Sequence, residues 1–208
     1  ALAPVVARRL RRLDDWRGVW QDLAAPHLRR VELALRAGER DAALAALNQA
    51  LTLLGLAYSG DGYYLFTPYA QQRSMVSVRQ RLYAQLRDLT NARVEPLTIV
   101  HGRGVTSGLL HLPANVSGPL PVILGVHQLA GDKDDFDVAL SLFRAGGFAT
   151  CTIDLPGHGT LFDGPRLRAQ DHEVAVAALD HLATRPEIDS RRMVVLGGSL
   201  GGLFALRT

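Results

Sequence analysis

Apolar residues recur at helical spacing through the first part of the chain. Leu13, Trp16, Trp20 and Leu23, followed by Leu28, Val31 and Leu35, form one stripe that Ala37-Gly38 interrupts. Leu44, Leu47, Leu51 and Leu54 mark a second helix, and Val78, Leu82, Leu86 and Leu89 a third. Between these two lies a glycine-punctuated aromatic turn, Tyr58-Ser59-Gly60-Asp61-Gly62-Tyr63-Tyr64-Leu65-Phe66. Its rings are expected to fill a seam between helices rather than to line a pocket. No internal period supports a helical-repeat array. The predicted organisation is a helical segment over residues 1–92 and a second unit over residues 93–208.

The period changes near Asn91 to Pro96. Leu97 to Val100 and Thr106 to Leu112 read as two strands joined through Gly102-Arg103-Gly104. Asn115-Val116-Ser117 fits a glycosylation sequon but is expected to be only a turn. Val122 to Val126 is a continuous apolar run of the kind found in buried parallel strands. A loop, His127 to Asp132, then opens a helix with Phe136, Ala139, Leu140 and Phe143 on its expected buried stripe, and Gly146-Gly147 ends it. Strand Phe148 to Ile153 follows, then Asp154-Leu155-Pro156-Gly157-His158-Gly159. A helix bearing Ala175, Ala178, Leu179 and Leu182 leads to the apolar strand Met193 to Leu196. Strand and helix in alternation predict a doubly wound α/β sheet.

Bulk properties narrow the picture only a little. At 48% hydrophobic and 21% charged residues, the 208-residue chain has the composition of a folded protein with a sizeable core. The net charge of +3 comes almost wholly from arginine, with Lys133 the only lysine. The one basic cluster, Arg8, Arg9, Arg11 and Arg12, reads as a solvated helix face, so no nucleic-acid partner is expected. Cys151 is the only cysteine and lies in an apolar strand, which points to an inert buried thiol. No apolar run is long enough for a membrane span, and no signal-peptide core precedes the first helix. A cytoplasmic location is therefore expected. No dinucleotide fingerprint, phosphate-binding loop or metal-ligand spacing occurs, and no cofactor or metal is expected. His27, His101 and His111 fall at no such spacing, and His172 and His181 read as solvated helix positions.

The chemistry centres on Gly197-Gly198-Ser199-Leu200-Gly201. An apolar strand that runs into Gly-x-Ser-x-Gly and then into a helix places a serine hydroxyl on a sharp turn clear of the sheet. Gly197 and Gly201 suit positions where a side chain would strike the neighbouring strand or helix. Ser199 is the candidate nucleophile, and the Leu200 N–H, at the helix start, is a candidate oxyanion donor. A tightly packed glycine turn without catalytic purpose is the competing reading.

Three motifs in order, the loop His127 to Gly131, the loop Asp154 to Gly159 and the Ser199 turn, resemble the first half of an α/β-hydrolase core. With the helical N-terminal segment and Asp132-Lys133-Asp134-Asp135, the chain is similar to the subgroup that contains dihydroxypseudooxynicotine hydrolase and the fermentation-respiration switch-type esterases. The resemblance implies a mostly parallel, three-layer sheet beneath a helical cap formed by residues 1–92. It implies acyl transfer from a small-molecule ester, or cleavage of a carbon–carbon bond beside a ketone. It also assigns the Leu129 N–H as the second oxyanion donor. Many members have glycine where this chain has Gln128. His127 is expected to structure its loop. Asp154 and His158 precede Ser199, whereas the fold's order is serine, acid, histidine, so neither is the expected triad partner.

The sequence stops at Thr208, before the strands that hold the acid and histidine in such folds. The expectation is that the C-terminal strands are absent from these residues. Ser199 would then lack its base here, and an exposed sheet edge would favour a homo-oligomer or association with a C-terminal segment. An acyl peptidase of the same superfamily is an alternative, as is a non-catalytic interaction protein built on a degenerate hydrolase half.

Overall fold

In the computed structural model, residues 3–59, 69–90, 92–113, 118–129 and 131–208 are described. The chain divides into two units, Ala1–Ala92 and Arg93–Thr208. The first is helical, with α1 over Ala3–Arg9, α2 over Asp15–Ala37, α3 over Arg40–Ser59 and α4 over Tyr69–Thr90. Gly38 ends α2 in the left-handed region at φ 73°. The N–H of Glu39 returns to Ala34 O at 2.8 Å and that of Gly38 to Leu35 O at 3.2 Å. These bonds satisfy carbonyls that the helix end would otherwise leave bare.

The buried faces differ from the leucine stripes. Leu13 precedes α2 and is 66% exposed, and Leu35 is also exposed. The inward face of α2 is Val19, Trp20, Ala24, Val31 and Ala34, and α3 buries Ala43, Ala46, Ala50 and Ala57 beside Leu47, Leu51 and Leu54. Small side chains let these helices approach closely, so alanine marks the seam as much as leucine does. On α4 the buried positions are Gln72, Met75, Val76, Arg79 and Tyr83, while Leu82, Leu86 and Leu89 pack partly buried against the core. The Arg79 guanidinium lies 4.5 Å from the Tyr58 ring centroid and 5.7 Å from that of Tyr83, which stabilises a buried cation through the ring faces. The rest of the predicted aromatic turn, Gly60 to Phe66, falls outside the described residues, as does the Asn115 sequon.

The second unit is a five-stranded sheet in the order β1-β2-β4-β3-β5. Its strands are β1 Val94–His101, β2 Gly104–His111, β3 Leu120–Val126, β4 Ala149–Ile153 and β5 Ile188–Gly197. Both pairings of β2 are antiparallel, whereas β3 pairs parallel with β4 and β5. Only β2 therefore runs against the other strands. Helices α5 Lys133–Ala145, α6 Glu173–Ala183 and α7 Leu200–Arg207 complete the unit.

Side-chain alternation assigns the helices to faces. Val122, Leu124 and Val126 share a core with Val174, Ala175, Ala178 and Leu182 of α6 and Phe204 of α7. The opposite face of β3 holds Gly125, where an added methyl group would overlap Phe136 and Leu140 of α5. The sheet thus lies between helices, as in a three-layer α/β fold. The buried face of α5 departs from expectation. Ala139 and Phe143 are exposed, whereas Lys133, Asp134, Asp137 and Leu140 are buried. The charges are partnered: Asp137 Oδ1 meets His111 Nε2 of β2 at 3.0 Å and Arg144 of α5 itself at 2.9 Å, and Arg144 also donates to Thr150 Oγ1 of β4. A charged face is buried where every charge is compensated.

Strand β5 is an edge of this sheet, and Val194, Leu196, Leu203 and Leu206 are exposed on it and on α7. No helix among the described residues is long and apolar enough to cross a membrane.

Candidate functional site

Three loops leave the carboxyl ends of adjacent parallel strands, opening at His127 after β3, at Asp154 after β4 and at Gly198 after β5. This is the sheet end at which α/β folds place their ligands. At the third loop Ser199 has φ 53° and ψ −116°, and it is the one non-glycine among the described residues with positive φ. Such a conformation costs about 1–3 kcal/mol and persists only where the surroundings impose it.

Two glycines impose it. A methyl group on Gly197 would overlap the backbone of Gly201, and one on Gly201 would overlap the carbonyl oxygens of Val126 and His127. The start of α7 is thereby pressed onto the ends of β3 and β5, with the Gly198 N–H donating to Val126 O at 3.3 Å and Gly201 N–H to Gly198 O at 2.9 Å. Ser199 is solvent-exposed, and its side chain makes no capping hydrogen bond to α7. Leu200 is the first residue of α7, so its N–H has no acceptor within the helix.

The loop after β3 is held by a buried histidine. His127 donates from Nδ1 to Gln128 O at 2.7 Å, and its Nε2 accepts the Leu155 N–H at 3.0 Å. Burial lowers its pKa to about 4 even though Asp154 works in the opposite direction. Both nitrogens are engaged and the ring stays neutral, so His127 structures its loop. The Gln128 side chain folds back beneath Gly131 and reaches toward Gly198. Leu129 is 44% exposed, and Ala130 lies outside the described residues.

Asp154 and His158 do not bond to each other. The Asp154 carboxylate is fully buried and accepts from Lys133 N–H at 2.9 Å, Lys133 Nζ at 2.8 Å, Thr160 N–H at 2.9 Å and Thr160 Oγ1 at 2.7 Å. Burial opposes ionisation of both partners, but their mutual attraction prevails: Asp154 is held below the usual carboxylate range and Lys133 above its ordinary value. The pair welds the start of α5 to the turn after β4. Gly159, at φ 52°, has no room for a side chain beside that carboxylate. His158 faces Leu129 O from Nε2 at 2.8 Å and Pro156 O from Nδ1 at 2.9 Å.

The sequence marked Lys133 as the lone lysine of an arginine-rich chain, but nothing local to it points to Asp154 as its partner. The remaining histidines are not simple surface residues. His172 packs on Phe204 with ring centroids 6.5 Å apart, and one ring nitrogen each of His172 and His181 is enclosed. Burial pushes the Cys151 thiol up to about 12, which makes it inert. Among the described residues no group of three or more His, Cys, Asp or Glu side chains is placed to hold a metal ion.

The sheet order, the helices on both faces and the strained serine turn define the α/β-hydrolase fold. Residues 36–208 match the family model described as esterase FrsA-like, and the chain belongs to that family. It is 36% identical over 92 residues to the 2,6-dihydropseudooxynicotine hydrolase of Paenarthrobacter nicotinovorans, covering 44% of this chain and 25% of that protein. It is 26% identical over 215 residues to the α/β hydrolase pydG of an Acremonium species, covering 93% of this chain and 48% of that protein. Among solved structures, that of 2,6-dihydroxy-pseudo-oxynicotine hydrolase superposes with a TM-score of 0.75 at 24% identity, over 92% of this chain and 53% of the other. The chain thus spans about half the length or less of these relatives.

Proposed function

We propose that this chain contributes the nucleophile and both oxyanion donors of a serine hydrolase, acting on a small ester or on a carbon–carbon bond beside a ketone. The observation that supports this most directly is the strained, solvent-exposed Ser199 between Gly197 and Gly201, each packed against backbone. Ser199 Oγ attacks the substrate carbonyl carbon, and the carbonyl oxygen takes up the negative charge. The N–H groups of Leu200 and Leu129 hold that charge, each being worth about 3 kcal/mol of transition-state stabilisation. A histidine accepts the serine proton and a carboxylate orients it. His127 and His158 are committed to other bonds, and Asp154 to Lys133 and Thr160, so none of these three fills either role, and the fold's order of serine, acid, histidine places both groups after Ser199. The helical unit serves as a cap over the substrate, and the single buried Cys151 suits a reducing, cytoplasmic setting.

The test is the intact mass of the full-length protein before and after treatment with a fluorophosphonate. One adduct that disappears in Ser199→Ala is expected. A folded protein that takes no adduct sinks the catalytic reading and favours an interaction protein on a degenerate hydrolase half.

A further inference from the structure

The peptide units on either side of Leu129 are both tied down. The first contains the Gln128 carbonyl and the Leu129 N–H. Its oxygen accepts from His127 Nδ1 at 2.7 Å and from the Gly131 N–H at 3.0 Å. In a trans peptide the N–H points opposite the C=O, so these bonds turn the Leu129 N–H away from the loop interior. The second unit contains the Leu129 carbonyl, and its oxygen stands 2.8 Å from His158 Nε2.

His158 is buried, and its ring packs on that of His127 with centroids 5.1 Å apart. Its own loop is rigid: Asp154 binds Thr160 and Lys133, and the His158 N–H donates to Leu155 O at 3.0 Å. The site of attachment is therefore fixed before it grips Leu129. By contrast, Leu129 itself is 44% exposed, so packing covers it only in part.

We infer that His158, with a ring proton on Nε2, is a positioning residue for acyl transfer: by donating from Nε2 to Leu129 O, it completes the fixation of the Leu129 N–H as an oxyanion donor. This rests on the reading of Ser199 as nucleophile. The ring touches no reacting atom and acts through the Leu129 peptide. An oxyanion donor contributes in proportion to how well it is aimed before the charge develops, so a loosened peptide lowers turnover more than binding.

The experiment measures kcat and KM of the full-length protein on p-nitrophenyl butyrate for wild type, His158→Leu and His158→Gln, with Ser199→Ala in parallel. His158→Leu is expected to lower kcat about 10- to 100-fold, below the loss caused by deleting a donor outright, with KM within about twofold. His158→Gln retains an N–H that reaches Leu129 O and is expected to recover most of the loss. If His158→Leu does not fold, His158→Asn replaces it, since its amide is too short to reach and should fall as far below His158→Gln. Wild-type kcat in folded His158→Leu, or no recovery in His158→Gln, overturns the inference alone. Turnover that survives Ser199→Ala overturns the nucleophile reading, and this inference with it.

Discussion

Gly201 sits so close to Val126 that any β-carbon at position 201 would occupy the place of the Val126 carbonyl oxygen. The obstacle is backbone at the end of an interior strand, so no side-chain rearrangement can clear it. Gly201→Ala is therefore expected to destabilise by about 3 kcal/mol or more. Gly198 lies three residues away, where an added methyl group would meet Phe136 at 3.4 Å, an ordinary contact. Gly198→Ala should stay within about 1 kcal/mol of wild type. Urea unfolding of the two variants checks the contrast, and equal stabilities would refute this account of the turn.

The strain at Ser199 has its own signature. With φ at 53° and ψ at −116°, Ser199 occupies a region that glycine enters without penalty. Both Ser199→Ala and Ser199→Gly remove the hydroxyl, but only the glycine variant relieves the backbone. Ser199→Gly is expected to be more stable than Ser199→Ala by about 1 kcal/mol, within the usual range for such strain. Thermal melts of the two inactive variants decide it. A lower melting point for Ser199→Gly would mean that the turn is not strained.

The Ser199 turn was legible in the sequence because its determinants are local: an apolar strand, two glycines at fixed spacing and a helix start within ten residues. The three strand-end loops were legible for the same reason. The buried face of α5 was not. A helical wheel can place Lys133, Asp134 and Asp137 only on a polar face, because two of the partners that let it be buried lie elsewhere in the chain, Asp154 on a later turn and His111 on a separate strand. Asp154 and His158 pose the same difficulty in reverse. Four residues apart they suggest an acid and a base, yet one turns to Lys133 and the other to Leu129. Which neighbour a polar group chooses is settled by tertiary packing.

The Lys133–Asp154 pair yields a third expectation. Both charges are buried: removing Lys133 strands Asp154, and removing Asp154 leaves Lys133 with the looser contact to Asp134 at 3.6 Å. Lys133→Met and Asp154→Asn should each cost about 3–5 kcal/mol. Asp154→Asn should be the worse, because Thr160 and the Lys133 N–H also lose an anionic acceptor. The double variant should fall well short of the sum, since neither charge of the pair remains to be stranded. A double-mutant cycle by denaturant unfolding reads the coupling, and strict additivity would show that the two side chains do not interact.

The buried, neutral His127 makes the second unit sensitive to acid. Its pKa, lowered from the ordinary 6.5 to about 4 by burial, means that the unfolded chain binds a proton more readily than the folded one between those values. Stability contributed by the neutral ring is thus fully present above about pH 6.5 and declines as pH falls toward 4. The span corresponds to about 3 kcal/mol at most. Asp154, held below its ordinary 3.8, keeps its contribution until lower pH, so the two effects separate. Unfolding free energy measured in steps from pH 7.5 to 4 should decline through this window. In His127→Asn, which retains a polar side chain but does not titrate, the decline should be shallower. An unchanged slope in that variant would assign the acid sensitivity to other groups.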